Sequence, residues 1–410
     1  MRTLFRAAAA ACVLVCSIAG ADAATFEMRR AINVAQWFTW PRFEAPPATG
    51  ILWPPYKETP RPPSEAELSV LRRAGFDTIR LPVDPAPFIV FEGDRLEGVY
   101  QRFHAAIRRI RSAGLKVVVD LHPNSRHPTW GERAMIAPDS PAFAALKRVA
   151  ETMARRLAVY SPQEVALELM NEPRLKCKGE GQQRWQRMAG ELVAQARRGN
   201  PQLTLIVTGA CISTPEGLMA MDARAFGDDN LIFTFHYYAP FTFTHQGAQF
   251  VPWPDKYLDE VPWPAGARPI EQPLQRLVAQ MERVRNLDEA ARSKALLGAR
   301  VNLERFYASG AGPETIAATF AAVRGWAERN GVAAKDVFIG EFGVWRQHNG
   351  LPGARAEDRA RWIADVRRAA EAEGFSWAYF NYDGPFALIR DDQDRRPDPL
   401  LLQSLGLPGR

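Results

Sequence analysis

The chain has 410 residues, is 47% hydrophobic and 24% charged, and carries a formal net charge of +6. That excess is mild, and its arginines are scattered over helical stretches such as Arg108, Arg109, Arg111, Arg367 and Arg368, which describes solvated helix faces better than a nucleic-acid site. No Gly-x-Gly-x-x-Gly, P-loop, His-Glu-x-x-His or Cys/His spacing occurs, so neither a phosphate-bearing cofactor nor zinc is expected.

Residues 1–23 read as an export signal. Arg2 and Arg6 supply the positive start, Ala7 to Ala19 the apolar core, and Ala21-Asp22-Ala23 a small-residue cleavage site. The apolar run is too short for a confident membrane span. A secreted protein, periplasmic or extracellular, is therefore expected, with no membrane span after removal. The remaining 24–410 read as a single domain, since no linker or repeated module interrupts them, and a monomer is expected.

Eight short apolar runs alternate with amphipathic stretches along that remainder: Arg30 to Phe38, Thr78 to Val83, Lys116 to His122, Val165 to Met170, Leu203 to Gly209, Leu231 to Tyr238, Val337 to Gly343 and Ser376 to Asn381. Several intervening helices have recognisable ends. Ser64-Glu65-Ala66-Glu67 is a capping box opening a helix that stops at Gly75, and Tyr100 to Ala113 ends at Gly114. Pro141 and Pro313 stand where first helical turns would begin. Eight strand–helix units with continuously apolar strands predict a closed (β/α)8 TIM barrel; an open doubly wound sheet is the runner-up.

Two connections are long. Pro41 to Pro63, after the first strand, is too proline-dense for a helix. Ala239 to Pro313, after the sixth, is expected either to wall one end of a cleft or to fold as an external helical pair from roughly Glu271 to Arg300. Trp253 and Trp263 within it offer flat faces for a ligand, and Trp37, Trp40 and Trp53 divide between that role and loop packing. Cys177 and Cys211 are the cysteines left after signal removal; they follow the fourth and fifth strands, neighbours in a barrel, and a disulfide between them is predicted.

In such barrels, working residues sit at the carboxyl ends of the strands. The fourth run, Val165 to Met170, is followed by Asn171-Glu172-Pro173, and the seventh carries Glu341 near its end. Singly, each glutamate could be a strand-end ion pair. Together with Arg80, His122, His236, Tyr238 and Trp377 at other strand ends, they make two carboxyls inside a polar constellation, suited to general acid/base work beside a nucleophile.

Asn-Glu-Pro, with Arg80 on the second strand, the His-x-Tyr of His236 and Tyr238 on the sixth and Trp377 on the eighth, resembles glycoside hydrolase family 5, the cellulase family among the retaining barrel glycosidases. The resemblance implies Glu172 as acid/base, Glu341 as nucleophile, Asn171 on the sugar 2-hydroxyl and Trp377 stacked under the ring at the cleaved linkage. The expected substrate is a polysaccharide or oligosaccharide and the expected activity an endo-β-1,4-glucanase. A β-mannanase or an exo-β-1,3-glucanase is the nearest alternative, and a non-catalytic polysaccharide-binding protein is the alternative of another class. Chemically, Arg80 and Tyr238 would favour the charged form of Glu341, while partial burial and the neighbouring nucleophile would keep Glu172 protonated.

Overall fold

The computed structural model describes residues 26–45, 50–56, 61–123, 127–251, 254–284, 288–348 and 350–408. The proposed export signal and Trp253 lie outside them. The described residues contain ten strands: β1 Arg30–Asn33, β2 Pro41–Phe43, β3 Ile51–Tyr56, β4 Thr78–Val83, β5 Lys116–Leu121, β6 Val165–Glu168, β7 Leu205–Thr208, β8 Leu231–His236, β9 Val337–Phe342 and β10 Ser376–Tyr379. Eight of them close into a parallel barrel in the order β1-β10-β9-β8-β7-β6-β5-β4. The fold is a (β/α)8 TIM barrel, and each of the eight predicted runs supplies one of its strands.

Local chemistry explains the helix boundaries. Ser64 caps Glu65–Ala74 through the reciprocal bonds of a capping box, and Gly75 ends that helix at φ 106°, a conformation that favours glycine. Pro141 and Pro313 occupy the first turns of Pro141–Leu157 and Pro313–Asn330. The helix expected from Tyr100 begins earlier, at Gly93, and runs to Ser112. The proline-dense connection after β1 folds as a two-stranded antiparallel sheet, β2 with β3.

Strand alternation sorts the barrel interior into layers. Ala31, Val118, Ala166, Ile206, Ile232, Phe338 and Ala378 form a fully buried apolar floor, closed below by Phe26 and Met28. Two residues further along the same strands come Asn33, Asp120, Glu168, Thr208 and Thr234, with Arg80 paired in register with Asn33 and Val118. A polar layer thus rests on an apolar one at the carboxyl end of the barrel, the end where such folds carry their chemistry.

The long connection after β8 contains the helices Phe241–Thr244, Glu271–Arg283 and Glu289–Ala308, so the expected helical pair is present. Trp263 does not offer a face to ligand. It is fully buried, and its indole N–H donates to Asp365 at 2.8 Å on the helix Ala356–Ala372. A buried tryptophan needs a partner for its N–H, and this one roots the connection in the barrel wall.

Candidate active site

Arg80 is the hub of the polar layer. It is completely buried on β4, and a buried guanidinium requires countercharge and hydrogen bonds. Its Nε and one terminal nitrogen form a bidentate pair with Glu168, each at 2.8 Å. Asp120 lies 3.0 Å away, and the other terminal nitrogen donates to Glu341 Oε1 at 2.7 Å and to Asn33 at 2.9 Å. Burial opposes the arginine's charge, but the three carboxylates outweigh it and hold the group protonated.

Three buried carboxylates thus share one guanidinium. Burial, reinforced by the neighbouring Asp120, pushes Glu168 up to about 7 in spite of Arg80. For Asp120 the larger single cause is also burial, but Arg80 and His122 together reverse it and lower the group. His122 is disfavoured as a cation by burial, yet the Asp120 carboxylate 2.8 Å from its Nδ1 raises it.

Glu341 faces inward because β9 bulges. Phe235 pairs with Ile339, and the next residue, His236, pairs with Glu341, so Gly340 is skipped. A side chain at Gly340 would collide with Thr234 and approach to 3.0 Å from His236, so a glycine is required there. Besides Arg80, Glu341 accepts a hydrogen bond from the Tyr238 hydroxyl at 2.9 Å. Burial and the adjacent carboxylates raise Tyr238 well above its usual range, which keeps it a donor.

Glu172 is held differently. It lies on the segment that leaves β6, with φ 40°, a left-handed conformation uncommon for a residue with a side chain. Its Oε1 is 3.0 Å from His236 Nδ1, and burial raises its affinity for a proton, with His122 and Arg174 opposing. His236 itself is pushed down to about 4 by burial, so it is neutral near pH 7 and can either accept from the protonated acid or donate to its anion. Asn171, beside Glu172, accepts from Arg80 at 3.0 Å and faces His122 Nε2 at 3.3 Å.

The chain that follows Glu172 is clamped to the loop after β7. Pro173 and Leu175 carbonyls accept from the Ile212 and Cys211 amides, at 3.2 and 3.0 Å. Cys211, Ile212 and Ser213 form a left-handed turn, all with positive φ, and a disulfide joins Cys177 to Cys211 as predicted. On the other side, Arg174 donates from its backbone to buried Glu132 at 2.9 Å.

Seven of the eight residues singled out by sequence therefore meet at one mouth of the barrel: Arg80, His122, Asn171, Glu172, His236, Tyr238 and Glu341. Trp377 does not join them. It is 1% exposed and packs edge-on against Phe76 and Phe342, because alternation on β10 turns Ala378 inward and Trp377 toward the helices. The aromatic ring that the chain presents just beyond this strand is Phe380, half-buried against Phe386. Asp120 and Glu168 were also missed; the available signal was a charged residue inside an otherwise apolar buried run. Among the described residues, Glu172, His236 and Glu341 place one ligand atom each within 4.8 Å of one another, the geometry of a possible metal site. Arg80, bonded to Glu341, competes with any cation there.

Solved structures share this architecture. The cellulose synthase subunit Z of Clostridioides difficile aligns with a TM-score of 0.65 at 22% identity, over 92% of this chain and 99% of that one. Cel5A of Thermotoga maritima, solved with cellobiose, aligns with a TM-score of 0.65 at 19% identity, over 92% and 97%. These likenesses define the fold class, a (β/α)8 barrel. The chain belongs to the cellulase family, glycosyl hydrolase family 5, whose model matches residues 33–384. Among curated relatives, Endoglucanase 3 of Fibrobacter succinogenes is 24% identical over 347 residues, 80% of this chain and 47% of that protein. Cellodextrinase A of Ruminococcus flavefaciens is 25% identical over 190 residues, 46% of this chain and 55% of that protein. The chain thus spans about half the length of the curated relatives it matches.

Proposed function

We propose that this chain is a secreted β-glycanase that cleaves its polysaccharide by double displacement with retention of configuration, and that it acts as an endo-β-1,4-glucanase. The observation that carries the reading is the closeness of two carboxyls in unlike surroundings: Glu172 and Glu341 bring oxygens within 4.8 Å. Retaining glycosidases keep their carboxyls about 5–5.5 Å apart, whereas inverting ones need about 6.5–9.5 Å for a water. The endoglucanase and cellodextrinase names of the relatives favour a β-1,4-glucan.

In this mechanism Glu172 gives its proton to the glycosidic oxygen while Glu341 attacks the anomeric carbon. The carbon–oxygen bond breaks, the leaving chain departs as an alcohol, and a glycosyl ester forms on Glu341. That ester removes the nucleophile's charge. Glu172, now ionised, accepts a proton from water, the water attacks the anomeric carbon, and Glu341 is released as a carboxylate. Neutral His236 can follow both states of Glu172 by exchanging donor and acceptor roles. Asn171, fixed by Arg80, would hold the sugar 2-hydroxyl, a bond that can strengthen in the transition state. Following the first-formed anomer by NMR during hydrolysis of a cello-oligosaccharide tests the reading. Retention is expected, and an inverted first product removes Glu341 as nucleophile.

A further inference from the structure

We propose that Phe241 and Phe250, in the connection leaving β8, form a stacking platform for pyranose rings of the glycan chain some distance from the cleaved linkage. This rests on the β-glycanase reading and extends it to chain-length selection by side chains that no part of the mechanism uses.

Among the described residues, Phe241 and Phe250 are the phenylalanines most open to solvent, at 48% and 63%. Their exposure is not that of mobile side chains on a loose loop, because each ring is fixed from below. Phe241 lies flat on His245, with centroids 3.7 Å apart and planes 10° from parallel, so one face is covered and the other is open. Phe250 stands edge-on to His245 at 5.8 Å and to Trp345 at 5.6 Å. His245 is itself buried, bonded to the Thr244 hydroxyl at 2.9 Å, and driven down to about 3 by burial, so an uncharged ring supports both phenylalanines.

The platform is continuous with the candidate site. His245 packs edge-on against Tyr238 at 5.1 Å, and Tyr238 donates to Glu341. Phe241 is therefore two ring contacts from the tyrosine that touches the proposed nucleophile. Beneath lies a small apolar cluster of Ala248, Val251, Trp345 and Phe386, distinct from the main core, with Tyr238 and Phe380 packed against it. Small clusters of this kind commonly underlie long loops, and here the cluster holds loop and site as one surface.

The occupant is a β-linked glucan because the site it adjoins cleaves one under the reading above, and because the C–H faces of pyranose rings need flat, immobilised, solvent-facing aromatics. Rigid rings bind at low entropic cost, since little freedom is lost on contact. Core packing would have buried both faces of Phe241. This also moves the specificity role expected of Trp263 to different residues of the same connection.

The test uses Phe241→Ala, Phe250→Ala and the double variant of the full chain, with kcat/KM measured on soluble cello-oligosaccharides from dimer to hexamer and on a short aryl glycoside. Each single loss should lower kcat/KM for the longest oligomers about threefold to tenfold and leave the aryl glycoside within about twofold, with Phe241→Tyr restoring most of the loss. Equal losses at every length would overturn the proposal, since they would mean that the rings only brace Tyr238. Unchanged values at every length would overturn it too. Should the parent protein cleave no glucan, the β-glycanase reading fails on its own. Calorimetry of hexamer binding to parent and Phe241→Ala then decides the platform, with equal affinities, or no binding by the parent, counting against it. Conversion of a dimer to a monomer in sedimentation of the Ala variants would assign the rings to a second copy of the chain instead and would likewise overturn it.

Discussion

The two carboxyls of the candidate site bring one oxygen each within 4.8 Å yet are anchored in opposite ways. Glu341 belongs to a strand, points inward through a bulge, and is held by a guanidinium and a phenol that are themselves buried. Glu172 belongs to a connecting segment at positive φ, with a neutral histidine as its bonded partner and a clamped loop behind it. The contrast matches the two jobs proposed for these groups. A nucleophile must stand in one fixed position, and two buried donors supply that. An acid/base must lose and regain a proton in each cycle, and a neutral, tautomerically adaptable partner leaves it free to do so.

Variants at the two carboxyls should break this contrast most clearly. Glu341→Ala should lower kcat on every substrate by on the order of 10⁴-fold or more while the circular dichroism spectrum stays native; retained turnover would remove its nucleophile role. Glu172→Ala should cost about 10²–10⁴-fold on glucans but far less on aryl glycosides whose leaving groups need little protonation. Losses of equal size on both substrate types would mean that Glu172 is not the acid.

Next in size are the anchors. Arg80→Ala leaves Asp120, Glu168 and Glu341 buried without their shared cation, so thermal or denaturant unfolding should show a loss of about 3–5 kcal/mol. A loss below about 1 kcal/mol would mean that the carboxylates had found water or protons instead. The Cys177→Ser/Cys211→Ser pair opens a loop of sequence separation 34 and should cost about 3–4 kcal/mol, and the unfolded parent lacking residues 1–23 should titrate no thiol before reduction and two after it.

The smallest effect is a matter of pH. Burial raises Glu172, and a proton donor is active below its pKa, so kcat/KM on glucans should fall as pH rises through a value above the ordinary 4.5. The same limb should weaken on substrates with excellent leaving groups. An identical limb on both would attribute it to another group.

Much of this was legible because the strands are buried on both faces and hence continuously apolar, a pattern with few competing explanations. Strand-end positions followed from the fold, and Arg80, His122, Asn171, Glu172, His236, Tyr238 and Glu341 were found that way. What alternation would have told was read less well. Counting by two from Ala378 turns Trp377 outward and brings Phe380 to the inner face. The same count from Phe338 would turn Glu341 outward, and only the bulge at Gly340 corrects it; bulges leave no firm mark in a sequence beyond a glycine. Asp120 and Glu168 carry no sequence mark beyond a charge inside an apolar run, although two such charges at matching depth imply a shared cation. Trp263 was misplaced for a different reason, because a tryptophan between prolines looks exposed until the helix that receives its indole is known.

That last contact bears on how this scaffold can be altered. Long loops on barrels invite trimming and exchange, on the assumption that the barrel beneath does not notice. Here the loop's backbone at Trp263 donates to Asp358, Arg361 reaches back to the Trp263 carbonyl, and Arg268 pairs with Asp358, all on one barrel helix. Excising the connection would uncover Asp358 and Asp365 together with the apolar slot that the indole fills. The segment is thus a keystone of the outer wall, and a graft that exchanges the substrate-facing half must keep residues around 258–268 as its root.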